Sequence, residues 1–182
     1  MTIYSRTDTK GLDIKFFTDE DLACKKDLEW LTQFTLCKEE AAEADILVPG
    51  MTSQECIAAV WISPHNIIKG YMAKGDKVLG VFCVEQDIHN YADYASADRK
   101  GAGVLSALRS DDSFKYPVAV VKTLDTLLSM CYDRGIRRLY NQISFANHSG
   151  IKLIQHRGGS IVYATSLDVG LFEIIIGDPS NV

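Results

Sequence analysis

Residues Pro117 to Gly135 constrain the fold more than any other stretch of the chain. Val120, Val121, Leu124, Leu127, Leu128 and Cys131 recur at the spacing of one helix face. Pro117 suits the first turn, where its missing N–H removes no intrahelical bond. Gly135 supplies the left-handed residue that ends such a helix. Ile136 to Ser144 follows at once and reads as a strand. An amphipathic helix fed directly into a strand needs a sheet to cover its apolar face, so an all-helical bundle is excluded.

The rest of the chain supplies that sheet. Leu12 to Phe17 alternates weakly, as a first strand would. Asp19 or Asp21 caps a helix expected to run to about Ala44, with Leu28, Leu31, Phe34 and Leu36 among its apolar positions, before Val48, Pro49 and Gly50 break it. Thr52 or Ser53 caps a second helix over Gln54 to Ile62, closed by Pro64. Ile67 to Ala73 and Lys77 to Glu85 form a hairpin about Lys74-Gly75-Asp76. Its second strand, VLGVFCVE, is almost continuously apolar, the pattern of a strand buried on both faces. Asp87 to Lys100 has no period and reads as a long loop or excursion, and Val104 to Leu108 is a further strand. Beyond Ser144, Asn147 or Ser149 opens a short helix that Gly158 ends. Ile161 to Thr165 and Leu171 to Ile176 form an antiparallel pair joined across Asp168 and Gly170. The expected order is β-α-α-β-β-β-α-β-α-β-β, a mixed sheet with packed helices in one α+β domain over residues 1–182.

Composition narrows what such a domain does. Its net charge of -5 gives no electrostatic reason to expect nucleic acid or an anionic membrane as partner. Arg134, Arg137 and Arg138 are the densest basic group and read as a solvated helix end and strand edge. Five cysteines, with no CxxC pair, and four histidines without metal spacing read as buried thiols in a reducing compartment and no metal site. MTIYSRTDTKG lacks the apolar stretch of a signal peptide, and no run reaches the roughly 20 apolar residues of a membrane span. The expectation is a soluble, cytoplasmic protein; its oligomeric state is left open.

The segment MCYDRGIRRLYNQISFANHSGIKLIQHRGGSIVYATS resembles the second half of a GNAT (GCN5-related) N-acyltransferase. There a helix ends in glycine, a strand follows, then an asparagine, a short apolar helix and a Gly-Phe pair. Here Gly135, the strand through Tyr140 and Ile143, Asn147, Ile151 and Leu153, and Gly158 fall at matching places. The resemblance covers roughly the last eighty residues and implies a mostly antiparallel sheet flanked by helices. GAGVLSALRSDD, with the asparagine–helix–glycine ending, is also similar to GNAT-like proteins of tailed phages, including the internal virion protein family of short-tailed coliphages.

The resemblance implies an acetyl-CoA or other acyl-CoA donor and an amine acceptor on a small molecule or protein. It implies donor contacts at Leu108, Arg109, Lys115, Val118, Ala119 and Asn147, with the strands at Leu108 and Tyr140 splayed to admit the donor's pantetheine arm. The candidate general bases are Asp111, Asp112 and Glu85. Paired acids after a strand also read as a cap or turn, and a lysine before a helix as a solvated residue.

Two positions depart from the family pattern. The family cradles the donor pyrophosphate on a glycine-rich loop at the start of the long helix, where bare N–H groups and the helix dipole meet the anion. This chain carries Phe114-Lys115-Tyr116-Pro117-Val118-Ala119 there, with Pro117 in place of the first glycine. Ile154 stands where many members place the tyrosine that protonates the departing thiolate, and Tyr116, Tyr132 and Tyr140 are the nearest substitutes, each otherwise a packed aromatic. These departures leave two expected functions: an N-acyltransferase, or a non-catalytic protein of the same fold acting through contacts with other phage proteins.

Overall fold

The computed structural model describes residues 12–23, 28–29, 31–32, 52–86, 101–110, 117–164 and 166–177. The element order is β1 (Leu12–Phe16), α1 (Asp19–Ala23), α2 (Ser53–Ile62), β2 (Asn66–Lys74), β3 (Lys77–Gln86), β4 (Ala102–Ser110), α3 (Pro117–Asp133), β5 (Arg138–Ser144), α4 (His148–His156), β6 (Ser160–Ala164) and β7 (Val169–Ile175). This is the α+β order expected from the sequence. The strands join in one seven-stranded sheet, β1-β2-β3-β4-β5-β7-β6. The β4–β5 pair is parallel, whereas β1–β2, β5–β7 and β6–β7 are antiparallel. The helix expected to run from Asp19 to about Ala44 is described as α1 to Ala23 and as helical residues 28–29 and 31–32; its other residues lie outside the described ones, as does the 87–100 stretch. The chain divides by its contacts into two compact units, one drawn from Met1–Cys83 and Ala107–Ala119, the other from Val84–Ser106 and Val120–Val182.

In the first unit, β1 lies antiparallel on β2 from Leu12↔Lys74 to Phe16↔Gly70. Gly70 allows that approach: a Cβ there would run into the Lys15 carbonyl and come within 2.7 Å of the Phe82 ring. The turn after β2 is shorter than the sequence suggested. Lys74 still belongs to the strand, and Gly75-Asp76 alone make the reversal, with Gly75 at φ 58. Thr52, just before α2, is its cap. Thr52 Oγ1 accepts from the Glu55 N–H at 3.2 Å, and Glu55 Oε2 accepts from the Thr52 N–H at 2.8 Å, a reciprocal capping box. The core of this unit gathers Leu22, Leu31, Trp61, Val81 and Cys83, with Phe17, Leu28 and Tyr71 packed against it. A smaller cluster joins Met72, Leu79 and Ala119.

In the second unit, α3 ends where Gly135 predicted, at φ 80. The Gly135 N–H donates to the Tyr132 carbonyl at 2.9 Å and the Ile136 N–H to the Cys131 carbonyl at 2.9 Å, the paired bonds of a Schellman stop. That stop delays β5 to Arg138, two residues later than the sequence suggested, because the Ile136 amide is committed to the helix and the Arg137 and Arg138 amides both donate to the Gly101 carbonyl. Leu124, Leu127, Cys131 and Ile136 are fully buried. Burial pushes the Cys131 thiol up to about 12, the inert state expected of a core cysteine. Gly170 belongs to β7 rather than to the link before it. It pairs with Ile143 and Ala164, and a Cβ on it would meet the Phe145 ring at 2.8 Å. The basic group resolves into structural pairs: Arg137 lies 3.9 Å over the Tyr132 ring and donates to the Tyr132 carbonyl, while Arg138 reaches Glu173.

Candidate active site

β5 is paired along its whole length on one edge and only in part on the other. Against β7 the register runs without a break from Arg138↔Ile175 to Ser144↔Val169. Against β4 the parallel ladder holds only Ala102↔Arg138, Gly103↔Leu139 and Val104↔Tyr140. Both strands continue, β4 to Ser110 and β5 to Ser144. Among the described residues, the ladder ends at Val104↔Tyr140, and Leu105 and Asn141 do not continue it. Unpaired backbone N–H and C=O groups inside a sheet are obligatory hydrogen-bonding groups that must find another partner. An extended molecule bearing amides meets that requirement as an added strand would.

Close packing builds the paired end of this fork. A Cβ on Gly103 would touch Ile136 at 3.2 Å and Val84 at 3.3 Å, so a glycine lets β4 sit tight where it is paired. Tyr140, the last paired residue of β5, is buried with Ala102, Val104 and Leu171. Its hydroxyl donates to Glu173 Oε1 at 2.7 Å, and Arg138 Nη1 stands 3.4 Å from the same oxygen. Burial first, and then donation to Glu173, hold the Tyr140 phenol above its usual range, so it stays protonated and fixed. One residue on, at the point where the ladder stops, the Asn141 side-chain amide donates to the buried Leu105 carbonyl at 2.6 Å.

The predicted site residues fall into three groups. Asp111, Asp112 and Lys115 lie outside the described residues, as do Phe114 and Tyr116. Leu108 and Arg109 lie on β4, and Val118 in the first turn of α3; for these three the backbone alone is described. Glu85, Ala119 and Asn147 are described in full. Glu85 is half-buried near the end of β3, and Ala119 is buried against Met72 and Leu79. Asn147 is the N-cap of α4, its Oδ1 accepting from the Gly150 N–H at 2.9 Å. Ile154, in the place of the tyrosine acid, is 2% exposed and lies against Gly159, so it is a core side chain. Tyr132 and Tyr140 are both engaged, under Arg137 and on Glu173. Sequence reasoning did not single out Asn141 or Glu173, because their partners lie far away in the chain.

No protein-family model matches the chain, and no curated protein matches it. Solved structures do. A protein of the GNAT family from Chromobacterium violaceum superposes with a TM-score of 0.62 at 11% identity, over 94% of this chain and 91% of that one. The ribosomal-protein-S18-alanine N-acetyltransferase from Escherichia coli gives 0.62 at 13% identity, over 94% and 98%. A Salmonella typhimurium protein solved with its cofactor acetyl-CoA gives 0.62 at 10% identity, over 92% and 95%. The chain has the GNAT acetyltransferase fold. The segment Met130–Ser166, which carries the sequence resemblance, covers the end of α3, β5, α4 and β6. Among the described residues no cluster of His, Cys, Asp or Glu is suited to a metal ion, and no helix is long and apolar enough to cross a membrane.

Proposed function

We propose that this protein is a GNAT-type N-acyltransferase that takes acetyl-CoA or another acyl-CoA as donor and an amine on a small molecule or protein as acceptor. The observation that supports this reading is the parallel ladder that ends at Val104↔Tyr140, with Leu105 and Asn141 outside it. The pantetheine arm of an acyl-CoA is an extended chain of amides and suits the end of the ladder at Leu105 and Asn141. Arg109 and Lys115 are assigned to the donor's anionic end, with Leu108, Val118 and Ala119 beside it and Asn147 holding α4 in place.

In the reaction the acceptor nitrogen attacks the thioester carbonyl, and a backbone N–H of β4 stabilises the oxyanion. Glu85, Asp111 or Asp112 takes the proton that the amine loses. Collapse breaks the C–S bond, and the thiolate gains a proton from water, because Ile154 offers none. The products are an amide and the free thiol.

A second reading is favoured by Ile154 in the core and Pro117 at the helix start. It is a GNAT-fold protein without transferase activity that acts through contacts with phage proteins, within a virion or in the host cytoplasm. One experiment divides the two. A ligand that binds only the folded state at 100 times its Kd stabilises it by about 2.7 kcal/mol, so the first reading expects millimolar acetyl-CoA to raise the melting temperature and an amine panel to release free thiol. Absence of both effects overturns the transferase reading, and co-purification with phage particles then supports the second.

A further inference from the structure

We propose that the Asn141 carboxamide is a latch on the β4–β5 fork, standing in for a ligand amide until a donor displaces it; this rests on the acyl-CoA reading above. Leu105 is the first β4 residue past the ladder and is 2% exposed. Its carbonyl must have a donor. β5 supplies one from a side chain, Asn141 Nδ2 at 2.6 Å, where the next ladder position would otherwise have fallen. A carboxamide presents the same planar N–H as a peptide, so it satisfies the carbonyl much as a strand would.

An extended amide chain added along β5 from Asn141 arrives at the same acceptor. Leu105 and Asn141 are therefore the pair over which protein and ligand compete. With no donor bound, the latch satisfies the carbonyl and keeps the end of the ladder closed. On binding, the ligand's N–H takes the carbonyl and the Asn141 side chain turns away. Breaking one neutral hydrogen bond of ordinary net strength reduces donor affinity by about threefold to tenfold. Tyr140, anchored one residue earlier by Glu173, keeps the paired end of β5 fixed while Asn141 lets go.

The test is calorimetric binding of pantetheine and of acetyl-CoA to the full chain, with N141A and N141D beside the wild type. N141A removes the side chain; N141D keeps its size but has no proton to donate at neutral pH. Both variants are expected to melt at a lower temperature without ligand, yet bind pantetheine about threefold to tenfold more tightly than the wild type. If N141A does not fold, N141D alone decides. Unchanged or weaker binding in the folded variants, with wild-type binding intact, overturns the latch and leaves the transferase reading standing. Failure of the wild type itself to bind either probe at millimolar concentration overturns the transferase reading and the latch with it.

Discussion

Asn147 and Gly150 form a coupled pair whose energetics follow from their spacing. The Asn147 Oδ1 accepts from the Gly150 N–H at 2.9 Å, and a Cβ built on Gly150 would lie 2.9 to 3.0 Å from the Asn147 side chain. Truncating the cap in N147A removes about 1 kcal/mol. Replacing a helical glycine by alanine normally returns close to 1 kcal/mol. In the wild type, however, the new methyl group displaces the cap, so G150A gains about 1 kcal/mol of propensity, loses about 1 kcal/mol of capping and nets near zero. In the N147A background the cap is already gone, and the same substitution stabilises by its full amount. The double-mutant cycle therefore carries a coupling of about 1 kcal/mol. Urea unfolding of the four proteins measures it, with N147D as a control that retains a good cap. If G150A stabilises equally in both backgrounds, or N147D falls as far as N147A, Asn147 does not act through its cap. Acyl-CoA affinity measured on N147D then separates capping from any contact with the donor: a pure cap leaves it at the wild-type value.

Three further outcomes follow from single groups. G135A is expected to lose about 1–2 kcal/mol in urea unfolding although a Cβ there meets nothing within 4 Å, because the cost lies in the φ of +80 rather than in crowding. Tyr140 has a folded pKa raised above its unfolded value, so the folded state holds the phenolic proton more tightly; its contribution is fully present below about pH 10 and is lost as pH rises through the folded pKa. Melting curves taken from pH 8 to 11 should fall more steeply for the wild type than for Y140F, and parallel curves would refute the assignment. Cys131, with its thiol pushed up to about 12, should resist alkylation at pH 8 until the protein unfolds, as read by peptide mass spectrometry; labelling of the native protein at that residue would contradict its burial.

What was legible in the sequence was local. Pro117, the helical stripe to Cys131 and Gly135 specify α3 from within a few residues, because capping and amphipathic spacing act over one or two turns. Gly75 marked the hairpin for the same reason, and only the length of its turn needed correction. The order of elements followed from these signals. Of the strand neighbours, the antiparallel β6–β7 pair was legible too, whereas nothing near β7 announces that its other edge pairs with β5.

The contacts that define the site depend on that hidden adjacency. Tyr140 reaches Glu173 across 33 residues and Asn141 reaches Leu105 across 36. Read along the chain, Tyr140 and Asn141 are two consecutive residues of an ordinary strand, one apolar in character and one polar. Folded, they face different tasks. Tyr140 closes the paired end of the fork with its ring among Ala102, Val104 and Leu171, and Asn141 meets the first unpaired carbonyl with its amide. A polar residue one place beyond the last ladder pair is costly unless it has a partner, and here the partner is the group that pairing left behind. The departure at Ile154 follows the opposite logic. Ile154 is a core side chain that lies against Gly159, so under the proposed transferase reading the thiolate would take its proton from solvent. Under that reading the Leu105–Asn141 pair, rather than an acid, is where donor binding is to be tested.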